Sequence, residues 1–193
     1  VVNNVCGTYD GKKNNLMSKS DQDQLVQYIS DFKFMPGGRY LWYAGREARF
    51  YNNCYLLRLE EDSREEWAGV TQRAMSCLMT GGGIGVDVSI ARPSGRQLRR
   101  TGGVASGPIL LTLNEVGRNV MQGGSRRSAL YGSLNWRHED AFNLLEAKNW
   151  HDMKAGDTTL SALKQADFNF PAPLDMMNIS LNYDDAWLAT ESR

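Results

Sequence analysis

The chain has 193 residues, 41% of them apolar and 23% charged, with 22 basic side chains against 22 acidic ones. That length supports one domain with a real core, and the zero net charge leaves no global field to hold nucleic acid or a membrane surface, so any anionic ligand needs a local cluster. No stretch approaches the roughly 18 apolar residues of a membrane helix, and no signal-peptide pattern opens the chain. Cys6, Cys54 and Cys77 are odd in number and widely spaced, without the pairing of a zinc site, which suits a reducing, cytoplasmic setting and no metal. The first residue is not Met, and the apolar pattern before Arg193 lacks a helix stop, so a piece of a longer polypeptide is expected.

Residues 1–20 are polar and read as loop. Residues 20–34 predict a helix: Ser20 can cap it, Leu25, Tyr28, Ile29 and Phe32 recur at helical spacing, and Pro36-Gly37-Gly38 ends it. The aromatic-rich stretch 39–44 fits a short strand or a turn of helix. Residues 53–59 (NCYLLRL) fit a short strand. Asp62-Ser63 then offers a helix cap, with Glu65 and Glu66 in a first turn where carboxylates favour the dipole, for a helix reaching Met79 and stopping at Gly81-Gly82-Gly83. A strand over 84–90 follows, then a long Gly/Ser/Arg loop over 92–108 of the kind that is usually functional. A helix over 109–121, a second Gly/Arg loop over 122–128, a strand over 129–136 and a helix over 139–148 come next. Residues 149–176 read as irregular and 178–183 as a strand. Strands alternating with helices predict an α/β fold with parallel strands.

Three features carry chemistry. Cys54 lies where a strand meets its loop, the place where α/β folds gather function, although a strand cysteine is also a common small buried hydrophobe. Cys6 and Cys77 lack that context. The stretch Gly81-Gly82-Gly83-Ile84-Gly85 precedes a strand, the wrong order for a dinucleotide fingerprint, and reads as a helix stop with close backbone packing. Arg92, Arg96, Arg99 and Arg100 with Gly102-Gly103 form one cationic loop, and Gln122 to Arg127 another. Such loops are either solvated or phosphate-binding, and two of them after successive strand–helix units point to phosphorylated ligands.

The motifs in order are NCYLL (53–57), EDS (61–63), GGGIGVDVS (81–89), RPSG (92–95), GGVASGP (102–108), QGGSRRSA (122–129), HED (138–140) and NISL (178–181). This succession resembles the catalytic subunit of ribonucleotide reductases over residues 34–185. The upstream MPGGRYLW (35–42) is similar to the adenosylcobalamin-dependent and small viral branches. The resemblance implies a ten-stranded α/β barrel of two five-stranded halves. Residues 1–48 would form a helical lead-in, and residues 49–193 most of the first half, with the second half missing.

By the same resemblance, Cys54 matches one cysteine of the redox pair that reduces the ribose as its 2′-hydroxyl leaves. Gly38, Asn53, Gln122 and Arg127 fall at substrate-binding positions; many relatives have Ser at Asn53. Asp62, Ser63, Arg92, Gly103, Gln122 and Arg126 fall at positions binding a deoxynucleotide effector, with 92–103 and 122–128 as the specificity loops. Ser128 stands where the family often has Gly. The resemblance further implies ribonucleotide substrates, a thioredoxin-type reductant, and a homodimer built on the helices after Asp62 and Arg100. The radical would come from adenosylcobalamin or from a separate metal-containing subunit, and the radical-bearing cysteine would lie on later strands. The rival reading is a nucleotide-binding regulatory module without catalysis.

Overall fold

The computed structural model describes Val2 and residues 17–48, 50–98, 100–120 and 127–191. The chain divides into two compact units, Val1–Asn53 and Cys54–Arg193.

In the first unit, α1 (Lys19–Ser30) is capped by Ser18, whose hydroxyl accepts from the Asp21 amide at 3.1 Å, so the cap is Ser18 and Ser20 lies inside the first turn. The helix stops short of the expected 34 because Phe32 takes a left-handed backbone (φ 56°) and the Lys33 amide turns back to the Tyr28 carbonyl at 2.8 Å. The aromatic stretch that fitted strand or helix is helical, α2 (Gly38–Tyr43). Its Tyr40 stacks on Tyr51 with ring centres 4.9 Å apart, and Tyr43 meets Phe50 and Tyr51 edge-on.

The second unit runs β1 (Cys54–Arg58), α3 (Arg64–Met79), β2 (Gly83–Asp87), α4 (Leu110–Asn119), β3 (Leu130–Asn135), α5 (Ala141–Glu146), β4 (Lys154–Ala155), β5 (Thr158–Thr159), α6 (Leu160–Ala166), β6 (Met177–Asn182) and α7 (Asp185–Glu191). The main sheet has the order β1-β2-β3-β6 and every pairing is parallel, as the alternation of strands and helices predicts. It is an open sheet rather than a closed barrel.

Strand alternation divides this sheet into two unlike faces. Ile84, Val86, Leu130, Leu134 and Met177 share one core cluster with Val70, Ala74 and Leu78 of α3, Leu110 and Leu113 of α4, and Leu144 of α5. The helices therefore cover one face. The opposite face carries, in register, Cys54–Gly83, Leu56–Gly85–Tyr131–Asn178 and Asp87–Ser133–Ser180. Leu56 there is 81% exposed, so among the described residues nothing covers it. One helical layer on one side is how half of an α/β barrel is built.

Two further expectations need correction. The strand expected over 84–90 ends at Asp87, because that carboxylate accepts from both the amide and the hydroxyl of Ser89 and turns the chain out of the ladder. Residues 149–176, read as irregular, hold the β4–β5 hairpin around Gly156 and the helix α6, whose cap is the Thr159 hydroxyl accepting from the Ala162 amide at 3.2 Å. This segment is anchored by Asp175, whose side chain is 0% exposed and accepts from Arg118 Nη2 at 2.6 Å, Lys164 Nζ at 2.7 Å and Asn114 Nδ2 at 3.2 Å. Burial pushes the Asp175 carboxyl up, but the bonds from Lys164, Arg118 and Asn114 outweigh it and hold it at about 2.

Candidate functional site

Cys54 opens β1 and is exposed on the helix-free face, at the end of the sheet where the strands begin. The residues beside it are small for a steric reason. A Cβ on Gly83 would stand 3.3 Å from the Ala129 carbonyl and 3.8 Å from Cys54 Sγ; one on Gly85 would stand 3.3 Å from the Tyr131 ring. The glycines thus keep the strip next to the thiol open. Gly81 does what the sequence predicts of it, ending α3 with φ 87° and donating to the Leu78 carbonyl at 2.8 Å. The resulting cleft, about 690 Å³, is bordered by Cys54, Leu56, Tyr131, Lys148 and Asn178 among others. Lys148 Nζ donates to the Met177 carbonyl at 2.8 Å; burial pushes its amine down, with Asp175 opposing.

Cys77 belongs elsewhere. It sits on α3 and packs against the core beneath the covered face, where burial pushes its thiol up. The two described cysteines therefore serve opposite faces, and both are free thiols. No group of three or more His, Cys, Asp or Glu able to hold a metal ion occurs among the described residues.

The second site lies at the other end of the sheet, where β1 and β2 run out. A pocket of about 650 Å³ is lined by Asp62, Ser63, Arg64, Glu65, Arg92, Arg96, Gln97, Leu98, Arg100 and Thr101, four arginines against two carboxylates. Asp62 and Arg92, 30 positions apart, meet there: Arg92 Nε donates to Asp62 Oδ2 at 2.6 Å and Nη2 to the Asp62 carbonyl at 2.7 Å. Trp67 Nε1 donates to the other carboxylate oxygen at 3.1 Å. Ser63 caps α3, its hydroxyl accepting from the Glu66 amide at 3.1 Å and donating to Glu61 at 2.7 Å. Arg92 thus arrives with two nitrogens engaged by Asp62 rather than turned wholly to a phosphate.

The loop over 92–108 is folded, not slack. It doubles back as a small antiparallel ladder, with Gln97 opposite Val104, Ala105 N donating to the Arg96 carbonyl at 2.8 Å and Leu98 N to the Gly103 carbonyl at 2.8 Å. Gly103 sits exposed near its tip. The HED motif holds the base of this ladder. His138 Nδ1 accepts from the Asp140 amide at 3.0 Å, which leaves the proton on Nε2 to donate to the Ala91 carbonyl at 2.7 Å. Asp140 Oδ2 accepts from the Ser94 amide at 2.8 Å. Sequence reasoning used HED only as a landmark; the burial of Asp140, which the sequence does not show, is what reveals this anchoring role.

The remaining expected residues are dispersed. Arg127 is exposed, donates through Nη2 to Asn169 Oδ1, and lies over the Phe168 ring at 4.2 Å. Gln122 and Arg126 lie outside the described residues, as does Arg99. Gly38 and Asn53 fall in the first unit; Gly38 opens α2, and a Cβ there would meet nothing within 4 Å. Phe168, Asn169 and Asp175 were missed because they lie in the segment read as irregular.

The main sheet is thus all-parallel with its helices on one face, the architecture of part of an α/β barrel, with the Cys54 thiol on its open face and a cationic pocket at its far end. The family described as "Ribonucleotide reductase, barrel domain" matches residues 52–180, and the chain belongs to that family. Among relatives, the Vitamin B12-dependent ribonucleoside-diphosphate reductase of Mycobacterium tuberculosis (strain CDC 1551 / Oshkosh) is 26% identical over 173 residues, covering 89% of this chain and 22% of its own length. The ribonucleoside-diphosphate reductase large subunit of Danio rerio is 33% identical over 131 residues, 65% of this chain and 16% of that protein. The chain thus spans about a fifth of the curated relatives it matches. In fold, the Actinobacillus ureae class Id ribonucleotide reductase alpha subunit superposes with a TM-score of 0.67 at 15% identity, over 91% of this chain and 28% of that one.

Proposed function

We propose that this chain is the part of a ribonucleotide reductase catalytic subunit that supplies one reducing thiol and the pocket that selects the substrate. The observation that carries the reading is Cys54, exposed on the open face beside Gly83 and Gly85, within the residues matched to the reductase barrel. The reaction replaces the ribose 2′-hydroxyl by hydrogen. Two thiols become one disulfide as the C2′–O bond breaks: one hydrogen ends on C2′, and the other leaves with the hydroxyl as water. Cys54 is one of these thiols. Its partner and the radical-bearing cysteine come from the second half of the barrel, and a thioredoxin-type protein reopens the disulfide in a reducing cytoplasm.

Asp62, Ser63, Arg92 and Gly103 belong to the effector site. The Asp62 carboxylate accepts from sugar hydroxyls, and the arginines around the pocket take the phosphates of a deoxynucleotide. Gln122, Arg126 and Arg127 sense the substrate base, with Gly38 and Asn53 at the substrate. Adenosylcobalamin is the favoured radical source because some relatives are named as vitamin B12-dependent; a metal-containing subunit is the other. The protein works as a homodimer. A regulatory module without catalysis is the second reading, favoured by a pocket that Asp62 and Arg92 of this chain line together.

Cys54→Ser in the complete polypeptide tests the first reading. Its deoxyribonucleotide formation should fall by at least ~10³-fold, since a hydroxyl cannot close a disulfide, while deoxynucleotide binding is retained. Turnover by Cys54→Ser near the wild-type rate would remove Cys54 from the chemistry and leave the regulatory reading.

A further inference from the structure

Arg127 is held in a way that its own stability contribution does not explain. Its guanidinium lies 4.2 Å over the Phe168 ring and donates through Nη2 to Asn169 Oδ1. Phe168 is 68% exposed and Arg127 is exposed too, so this contact adds little to folding while immobilising a long side chain. The platform beneath it is firmly built. The Asn169 amide donates to Asp167 Oδ1 at 2.8 Å, which fixes the turn after α6. Lys164 Nζ donates both to the Phe168 carbonyl at 2.7 Å and to the enclosed Asp175 at 2.7 Å.

The same Asp175 also binds Arg118, in the last turn of α4, and the Ser128 hydroxyl donates to the Val120 carbonyl. Residues 118–120 and 127–128 are therefore referred to one buried anchor, and a small cavity of about 140 Å³ lies among Arg118, Arg127, Lys164, Phe168 and Asn169. We propose that Phe168 and Asn169 are positioning residues for Arg127, and through it set which ribonucleotide base the protein favours. The proposal rests on the reading of Arg127 as a substrate-sensing residue. The physical basis is preorganisation: a guanidinium already stacked and bonded loses less freedom when it meets a base, and it meets the base in one orientation.

The test is a competition among the four ribonucleotides with the complete polypeptide, reading product ratios with each deoxynucleotide in turn. Asn169→Ala should flatten the deoxynucleotide-dependent change in product ratio by about 5-fold or more, with summed product and melting temperature near wild type. Asn169→Asp keeps the acceptor and should keep the ratios. In an Arg127→Lys background, Asn169→Ala should change the ratios no further, whereas a merely structural role would add its effect unchanged. Should Asn169→Ala fail to fold, Phe168→Leu removes the stack and reads the same ratio. Wild-type ratios in Asn169→Ala, or an undiminished effect in the Arg127→Lys background, overturn the proposal alone. Wild-type ratios indifferent to every deoxynucleotide overturn the reading of Arg127 and the proposal with it.

Discussion

The two ends of the sheet differ in how much of a site each contains. At the far end, Asp62 is met by Arg92 and Trp67 of this same chain, the loop over 92–108 is folded into a ladder, and His138 and Asp140 brace its base. Arg92 and Arg64 are engaged by carboxylates there, and Arg96 and Arg100 also line the hollow. At the near end, Cys54 faces an open cleft whose neighbour Leu56 is 81% exposed, and the other described cysteine packs under the opposite face. A binding site can be completed by side chains close in sequence to one or two strands. A two-thiol redox site needs the facing wall of the barrel. On the proposed reading, selection of a substrate and its reduction are therefore separable in this segment.

The largest expected effect probes the anchor bordering the Cys54 cleft. Asp175→Ala leaves Arg118 and Lys164, 23% and 14% exposed, without their carboxylate, and should cost about 3–5 kcal/mol in chemical denaturation. The same group gives a pH signature. Its carboxyl is held at about 2, below the ordinary 3.8, so its contribution is complete above the unfolded value and is lost as pH falls toward 2. That component is about 2 kcal/mol, present in the wild type and missing in Asp175→Ala. Deoxynucleotide affinity at the Asp62 pocket should survive in folded Asp175→Ala protein; its loss would break the separation of the two ends.

A smaller change sharpens the comparison from the other side. Asp62→Asn keeps the shape and removes the charge that faces Arg92 and, on the proposed reading, the effector sugar. Deoxynucleotide affinity by calorimetry should weaken by about 10-fold, with unstimulated reduction at Cys54 unchanged. Equal affinity would place the effector elsewhere.

The elements bounding both sites were legible because each carries its own local signal. Ser63 with Glu65 and Glu66 announces α3, Gly81 its end, and the alternation around Asp87 the strand between. The order of short motifs carried the family. What escaped was either too short or too distant in sequence. The β4–β5 ladder has two residues a side, and α6 has only seven residues, less than two full turns of apolar pattern. Arg118 and Asp175 are 57 positions apart, and Arg127 and Asn169 are 42 apart, so only the fold could pair them. The pairing of Gln97 with Val104 inside the loop over 92–108 escaped because Gly102 and Gly103 mark a turn equally well in a slack loop and in a hairpin.

The central claim is that the Cys54 thiol delivers reducing equivalents to the substrate. The direct measurement is a single turnover of the prereduced complete polypeptide without external reductant, followed by alkylation and peptide mapping of every cysteine. The account predicts that Cys54 enters a disulfide in proportion to the deoxyribonucleotide formed, while Cys77 stays a thiol. Product formed with Cys54 still fully alkylatable would contradict it.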